Sequence, residues 1–215
     1  MDHFIFIIEI IGTIAFAISG ALTGFGKNMD IFGVSILGVT TATGGGMIRD
    51  LILGQTPPAT FSNPIYVLLS VIASIIVFIL GVRHRLASDL VNESGRKIYE
   101  LVMLISDSAG LGIFTVVGVK LAIDAGFIEN PFLIIFVAVV TGVGGGVLRD
   151  VFAGDRPYIF VKHIYACASI AGAIVCALMW NIVGQNVSMA TGFAVVTLIR
   201  LLAARFRWSL PRPNK

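Results

Sequence analysis

The sequence predicts an all-α integral membrane protein: seven transmembrane helices, made of two inverted three-helix repeats plus a seventh helix that belongs to neither. Three observations carry this expectation. Of 215 residues, 57% are hydrophobic and only 13% are charged, against about 25% charged in an average soluble domain, and the mean hydropathy is +0.96. Apolar stretches of roughly 20 residues, enough to cross about 30 Å of hydrocarbon, follow one another with little between them. Finally, "TGGGMIRD" at 43–50 returns as "VGGGVLRD" at 143–150.

The spans are expected at about 4–25, 31–53, 64–82, 98–122, 131–153, 162–180 and 187–205, which leaves room for only a single membrane domain over 1–215. The first span contains Glu9 and lacks the basic start and small-residue cleavage site of a signal peptide, so it is expected to stay in the mature protein. The second and fifth carry the glycine motifs, and the fourth carries Asp107 and Lys120. No charge occurs between His163 and Arg200, so that run is cut at the polar "NIVGQN" of 181–186 into the sixth and seventh spans. Repeat one then covers about 4–82, repeat two about 98–180, and the seventh helix about 187–205. Cys167 and Cys176 fall nine residues apart on one helix, about 13 Å along its axis, too far for a disulfide.

Alternating the loops places Lys27, Arg83, Arg85, Arg96, Lys97, Arg149, Arg156, Lys162, Arg200, Arg205, Arg207, Arg212 and Lys215 on one side, leaving Arg49 and Lys120 on the other. By the positive-inside rule the crowded side is cytoplasmic. The protein is therefore expected in the cell inner membrane, with its N-terminus outside and its C-terminus in the cytoplasm. Trp180 and Trp208 fall at opposite interfaces, as aromatic belts do.

The glycine motifs belong to a longer self-match. "EIIGTIAFAISG" (9–20) aligns with "DSAGLGIFTVVG" (107–118), and "TATGGGMIRDLILGQTP" (41–57) with "TGVGGGVLRDVFAGDRP" (141–157). Three spans per copy is an odd number, so the second copy enters the membrane from the opposite side. Such inverted repeats are typical of transport proteins, whose pathways run between the halves.

Glycine costs a helix about 1 kcal/mol relative to alanine, so Gly44, Gly45 and Gly46, and Gly144, Gly145 and Gly146, are expected to break spans two and five. Freed carbonyls in lipid must face protein or a water-filled cavity, which suits a transient monovalent cation and no resident metal. The competing reading is that the glycines only allow close helix contact. Adjacent residues point about 100° apart on a helix, so Arg49 and Asp50, like Arg149 and Asp150, are expected to find separate partners. Depth in the membrane pairs Glu9 with Arg49 and Asp107 with Arg149, either as pathway charges or as buried structural pairs. Asp50 and Asp150 are candidate cation-attracting rim charges. Lys120 either snorkels to the interface or faces a pore; Phe16, Ser19 and Phe114 fall mid-span as candidate pathway residues, the two rings forming either a hydrophobic constriction or plain packing. Span six, "ACASIAGAIVCA" (166–177), has the small residues of a close helix contact, within the protomer or between protomers.

With the doubled GGGxxRD segments, "FAISGAL" (16–22) upstream of the first and Asp107 upstream of the second, the chain resembles the prokaryotic branch of the trimeric intracellular cation (TRIC) channel family over about residues 5–205. The resemblance implies a homotrimer with a pore in each protomer, K+ or Na+ as the permeant ion with potassium favoured, and pore walls from the second and fifth helices around the two glycine triplets. It also implies a gating role for Lys120. Some bacterial members are regarded as glycine transporters, so transport of glycine or another small zwitterion is the alternative function.

Other classes fit poorly. His3, His84 and His163 fall at membrane edges and no His or Cys pair has ligand spacing within a span, so no enzyme activity and no cofactor are expected. The basic fringes at 83–97 and 200–215 are better explained by topology and anionic membrane lipids than by nucleic acid.

Overall fold

The computed structural model describes residues 3–87, 93–161 and 164–208. In chain order the helices are α1 (His3–Gly26), α2 (Ile31–Ile52), the single-turn α3 (Ala59–Ser62), α4 (Ile65–Ala87), α5 (Glu93–Ala122), α6 (Pro131–Phe152), the single-turn α7 (Tyr158–Val161), α8 (Tyr165–Val183) and α9 (Gln185–Phe206). A wide turn over Ile123–Phe127 leads from α5 towards α6. Among the described residues seven helices are long and apolar enough to cross a membrane, and they are the seven expected spans. His163, with Lys162, Arg212 and Lys215, lies outside the described residues.

The local chemistry of each repeat recurs in the other. Asp30 and Asn130 precede α2 and α6 and accept from the N–H groups of Gly33 (2.7 Å) and Leu133 (3.1 Å); each satisfies a donor that a first helical turn leaves without a partner. Both helices close alike: the Arg49 carbonyl accepts from Leu53 and the Asp50 carbonyl from Gln55, while Arg149 and Asp150 accept from Ala153 and Asp155 in the same way. In repeat one α1 packs on α2 and α4, and in repeat two α5 packs on α6 and α8. The halves meet where α2 crosses α6 and α1 meets α5, while α9 lies on α8 and α5.

The crossing of α2 and α6 corrects the expected break. Both helices run uninterrupted through their glycine triplets. A Cβ on Gly45 would overlap the carbonyl oxygen of Thr141, and a Cβ on Gly145 would overlap that of Thr41. This reciprocal pair marks the pseudo-two-fold axis. The missing side chains let the two backbones touch, while an interruption in hydrocarbon would strand polar backbone groups. Contact wins over fracture, and the carbonyls stay within the helices.

Packing also decides the role of span six and the turn that follows it. Gly172 of α8 lies where a Cβ would strike Val196 and approach the Gly192 carbonyl of α9 to 2.9 Å, so the small-residue face of span six serves contact within the protomer. The turn between α8 and α9 shrinks from the expected six residues to Gly184 alone, at φ 81°. With ψ 165° this is an extended positive-φ conformation that is essentially confined to glycine and costs an L-residue about 1–3 kcal/mol, and no atom lies within 4 Å of a Cβ placed there. Gly184→Ala is therefore expected to lower the unfolding free energy by about 1–3 kcal/mol, measured as a lower denaturation midpoint in detergent. An unchanged midpoint would refute the assignment of that strain.

Seven spans put the starts of α1 and α4 and the ends of α2 and α5 on one face of the membrane, hereafter the N-terminal face. The opposite, C-terminal face carries the end of α1 and the end of α6, and an ion pair between Lys27 and Asp155 at 2.6 Å ties those two ends together.

Candidate functional site

Between the repeats lie two constellations related by the pseudo-two-fold. Each has a carboxylate on the first helix of its repeat and a tyrosine at the start of the third.

In repeat one, Tyr66 of α4 donates its hydroxyl hydrogen bond to Glu9 of α1 at 2.7 Å. The pair lines a cavity of about 250 Å³ near the N-terminal face, whose walls include Thr43, Arg49, Asn63 and Phe114. Arg49 shares the cavity with Glu9, as depth suggested, but its Nε and Nη2 both bond Asp50 Oδ1 at 2.8 Å, and among the described residues no ion pair joins it to Glu9.

In repeat two the same positions are closed. Asp107 of α5 accepts from Arg149 Nη1 at 2.6 Å, from Tyr165 of α8 at 3.3 Å and from Arg200 of α9 at 3.5 Å. Arg149 Nη1 also donates to Ser19 of α1. The guanidinium of Arg149 lies 5.0 Å from the ring centroid of Tyr158, and that of Arg200 lies 4.7 Å from Tyr165, within the range of cation–π attraction. All of Ser19, Asp107, Arg149, Tyr165 and Arg200 are buried. Sequence depth placed Asp107 beside Arg149, and the structure brings them into direct contact.

The Arg–Asp steps correct a second expectation. Arg49 and Asp50 do pair, and so do Arg149 and Asp150, with Arg149 Nε and Nη2 each 2.9 Å from Asp150 Oδ1. A long arginine side chain at a helix end curls back around the turn, which the 100° spacing of the Cβ atoms did not allow for. Asp50 and Asp150 are buried and are not rim charges. Their second oxygens accept the N–H groups of Ala59 (2.9 Å) and Tyr158 (2.8 Å), which folds the chain back into α3 and α7. The motif ends a helix and anchors the turn after it.

Between the two constellations the rings of Phe16 and Phe114 stand 5.3 Å apart. Along α1, Glu9 and Thr13 line the cavity, Phe16 follows, and Ser19 reaches the Arg149 cluster; about 15 Å of helix separates Glu9 from Ser19. Gly46 borders the cavity, Gly44 faces the side chain of Leu148, Gly144 lies against Gly45, and Gly146 faces the hydroxyl of Tyr165. Lys120 is buried and bonds Asp124 at 2.6 Å at the N-terminal face, and it is not among the cavity's lining residues.

Sequence reasoning missed Tyr66, Tyr165 and Tyr158, and it read Arg200 as part of a cytoplasmic fringe when the fold buries it on Asp107. A signal for the first two was present: "IY" at 65–66 returns at 164–165, with a serine four residues after each tyrosine. Extending the self-match into the third helix would have found them. Arg200 lies outside the repeat and had no such signal.

The family model described as "Glycine transporter" matches residues 6–81 and 104–181, one block on each three-span half. Two crystal structures share the whole architecture: a prokaryotic TRIC channel in 0.5 M KCl, at 34% identity and TM-score 0.85 over 98% of this chain and 100% of that one, and the TRIC trimeric intracellular cation channel orthologue from Rhodobacter sphaeroides, at 30% identity and TM-score 0.83 over 95% and 98%. The chain belongs to the TRIC family. The inner membrane protein YadS of Escherichia coli is a relative, 36% identical over 206 residues, 95% of this chain and 93% of that one. TRIC membership and seven spans make this a multi-pass membrane protein with two inverted three-helix repeats. The seventh TRIC helix, outside both matched blocks, supplies Arg200 to the Asp107 cluster.

Proposed function

We propose that the protein conducts monovalent cations, potassium above sodium, through each protomer of a homotrimer in the inner membrane. The observation that carries the reading is the cavity at Glu9 and Tyr66: a carboxylate-bearing space of about 250 Å³ walled by repeat one and by Phe114 and Leu121 of repeat two, in a chain whose solved relatives are cation channels. The route runs from this cavity past Phe16 and Phe114, beside the glycine crossing of α2 and α6, to the Asp107 cluster. That cluster closes the route at the C-terminal face. The carboxylate of Glu9 raises the local cation concentration; the phenylalanine pair forms the apolar constriction; Ser19 and Asp107 take the ion when Arg149 and Arg200 move aside. Lys120, paired with Asp124, acts on the route through its charge at the N-terminal face. That face is extracytoplasmic and the basic C-terminal face cytoplasmic, in contact with anionic lipid headgroups.

Purified protein in a planar bilayer, with potassium salt as the only solute, is expected to give unitary currents. Glu9→Gln is expected to reduce their size at low salt and much less at high salt, where screening removes the local field. Currents that ignore Glu9 at every salt concentration would refute the route. The second reading, carriage of glycine or another small zwitterion, is favoured by the family model's description and by Glu9 and Arg49 bordering one cavity. Saturable glycine uptake into proteoliposomes without unitary current would establish it instead.

A further inference from the structure

We propose that the cavity at Glu9 is a binding site for guanidinium-type cations. The fold builds one constellation twice, a carboxylate with a tyrosine hydroxyl on it, and in repeat two its occupants are visible. Asp107 holds the guanidinium groups of Arg149 and Arg200, and that of Arg200 also stacks over the Tyr165 ring. Arg200 reaches this place from α9, the helix that the repeat does not duplicate. Repeat one has the equivalent carboxylate and tyrosine, Glu9 and Tyr66 at 2.7 Å, and among the described residues no helix equivalent to α9. Glu9 and Tyr66, the counterparts of the two residues that Arg200 touches, line a cavity of about 250 Å³ instead.

The charges around that cavity agree. Arg49, counterpart of Arg149, is held by Asp50, and Lys120 is held by Asp124. Among the described residues Glu9 receives the Tyr66 hydroxyl and no cation. A free guanidinium is planar, weakly hydrated, rich in donors and disposed to stack on aromatic rings. Its donors meet Glu9 and the polar wall at Thr43 and Asn63, and its face meets Tyr66. Potassium and ammonium are more strongly hydrated or lack the plane. The cavity is a little smaller than the roughly 300 Å³ at which pockets for drug-sized ligands begin, in keeping with a small ion.

The test is binding, which does not depend on whether the protein conducts. Purified protein in detergent is titrated with millimolar guanidinium chloride or methylguanidinium chloride at constant ionic strength, followed by calorimetry and by thermal midpoint. Guanidinium as a denaturant lowers the midpoint; a specific site raises it. The expected result is saturable binding of one ion per protomer, with a raised midpoint that tetramethylammonium and extra potassium chloride do not reproduce. Glu9→Gln should weaken the affinity at least tenfold and Tyr66→Phe several-fold. Arg200→Ala should add a second site, so that guanidinium restores much of the midpoint which that variant loses. No saturable binding to the wild-type protein, or unchanged affinity in Glu9→Gln, overturns the proposal, and both measurements are decisive even where Arg200→Ala does not fold.

Discussion

Asp107→Asn is expected to lower the unfolding free energy by about 3–5 kcal/mol, the range for removing one partner of a buried ion pair. The substitution leaves two guanidinium groups, Arg149 and Arg200, facing a neutral amide in a buried place among α1, α5, α6, α8 and α9. Arg149 keeps Asp150 and Ser19, while the ion pair of Arg200 with Asp107 is lost. The equivalent change in the other repeat, Glu9→Gln, removes no ion pair among the described residues and is expected to cost less than about 1 kcal/mol, the net value of one ordinary hydrogen bond. Two acids at matching positions thus predict very different melting curves. Combining Asp107→Asn with Arg200→Gln is expected to cost less than the sum of the two single changes, because each removes the same interaction. Equal effects of Asp107→Asn and Glu9→Gln on the denaturation midpoint would show that the buried cluster does not hold the helices.

The second large effect is at the crossing of α2 and α6. Gly145→Ala places a methyl group on the Thr41 carbonyl, and Gly45→Ala places one on that of Thr141. Neither neighbour is a flexible side-chain end. The helices must separate, at a cost of about 1–3 kcal/mol for each site, and the two losses should not add simply because both act on one crossing. Gly46→Ala, one residue along the same triplet, is the internal control. Its nearest neighbour is the Arg49 side chain at 3.6 Å, an ordinary contact, so the change is expected to be neutral or to stabilise by up to about 1 kcal/mol through helix propensity. Circular dichroism melts of the three variants in detergent test this directly. Similar losses at 46 and 145 would point to helix breaking as the role of the triplet; opposite signs support close contact.

The glycine triplet shows where a linear reading stops. Its sequence is equally compatible with a break and with a contact, since glycine's low helix propensity and its lack of a Cβ come in the same residue. Which property matters depends on what lies opposite, and residue 141 lies opposite residue 45 only once the halves are assembled. The Arg–Asp steps carry the same lesson at shorter range, because a side chain as long as arginine's is not confined to the direction of its Cβ. Asp107 beside Arg149 was readable because depth along two spans constrains both ends of a long side chain. Tyr66 and Tyr165 were readable in principle from the repeated "IY".

The sequence by itself determined the seven spans, the inverted duplication and the family, and it put Asp107 at the depth of Arg149. The family came from the resemblance of the doubled motifs; the spans and the duplication follow from composition, length and self-similarity, which the membrane converts into position along its normal. The tertiary structure decided position across the membrane plane: which helices touch, that α2 and α6 meet backbone to backbone, and that α9 turns Arg200 onto Asp107 while leaving Glu9 beside an open cavity. The bilayer fixes how deep a residue sits, but it is nearly uniform sideways, so lateral neighbours are chosen only by packing.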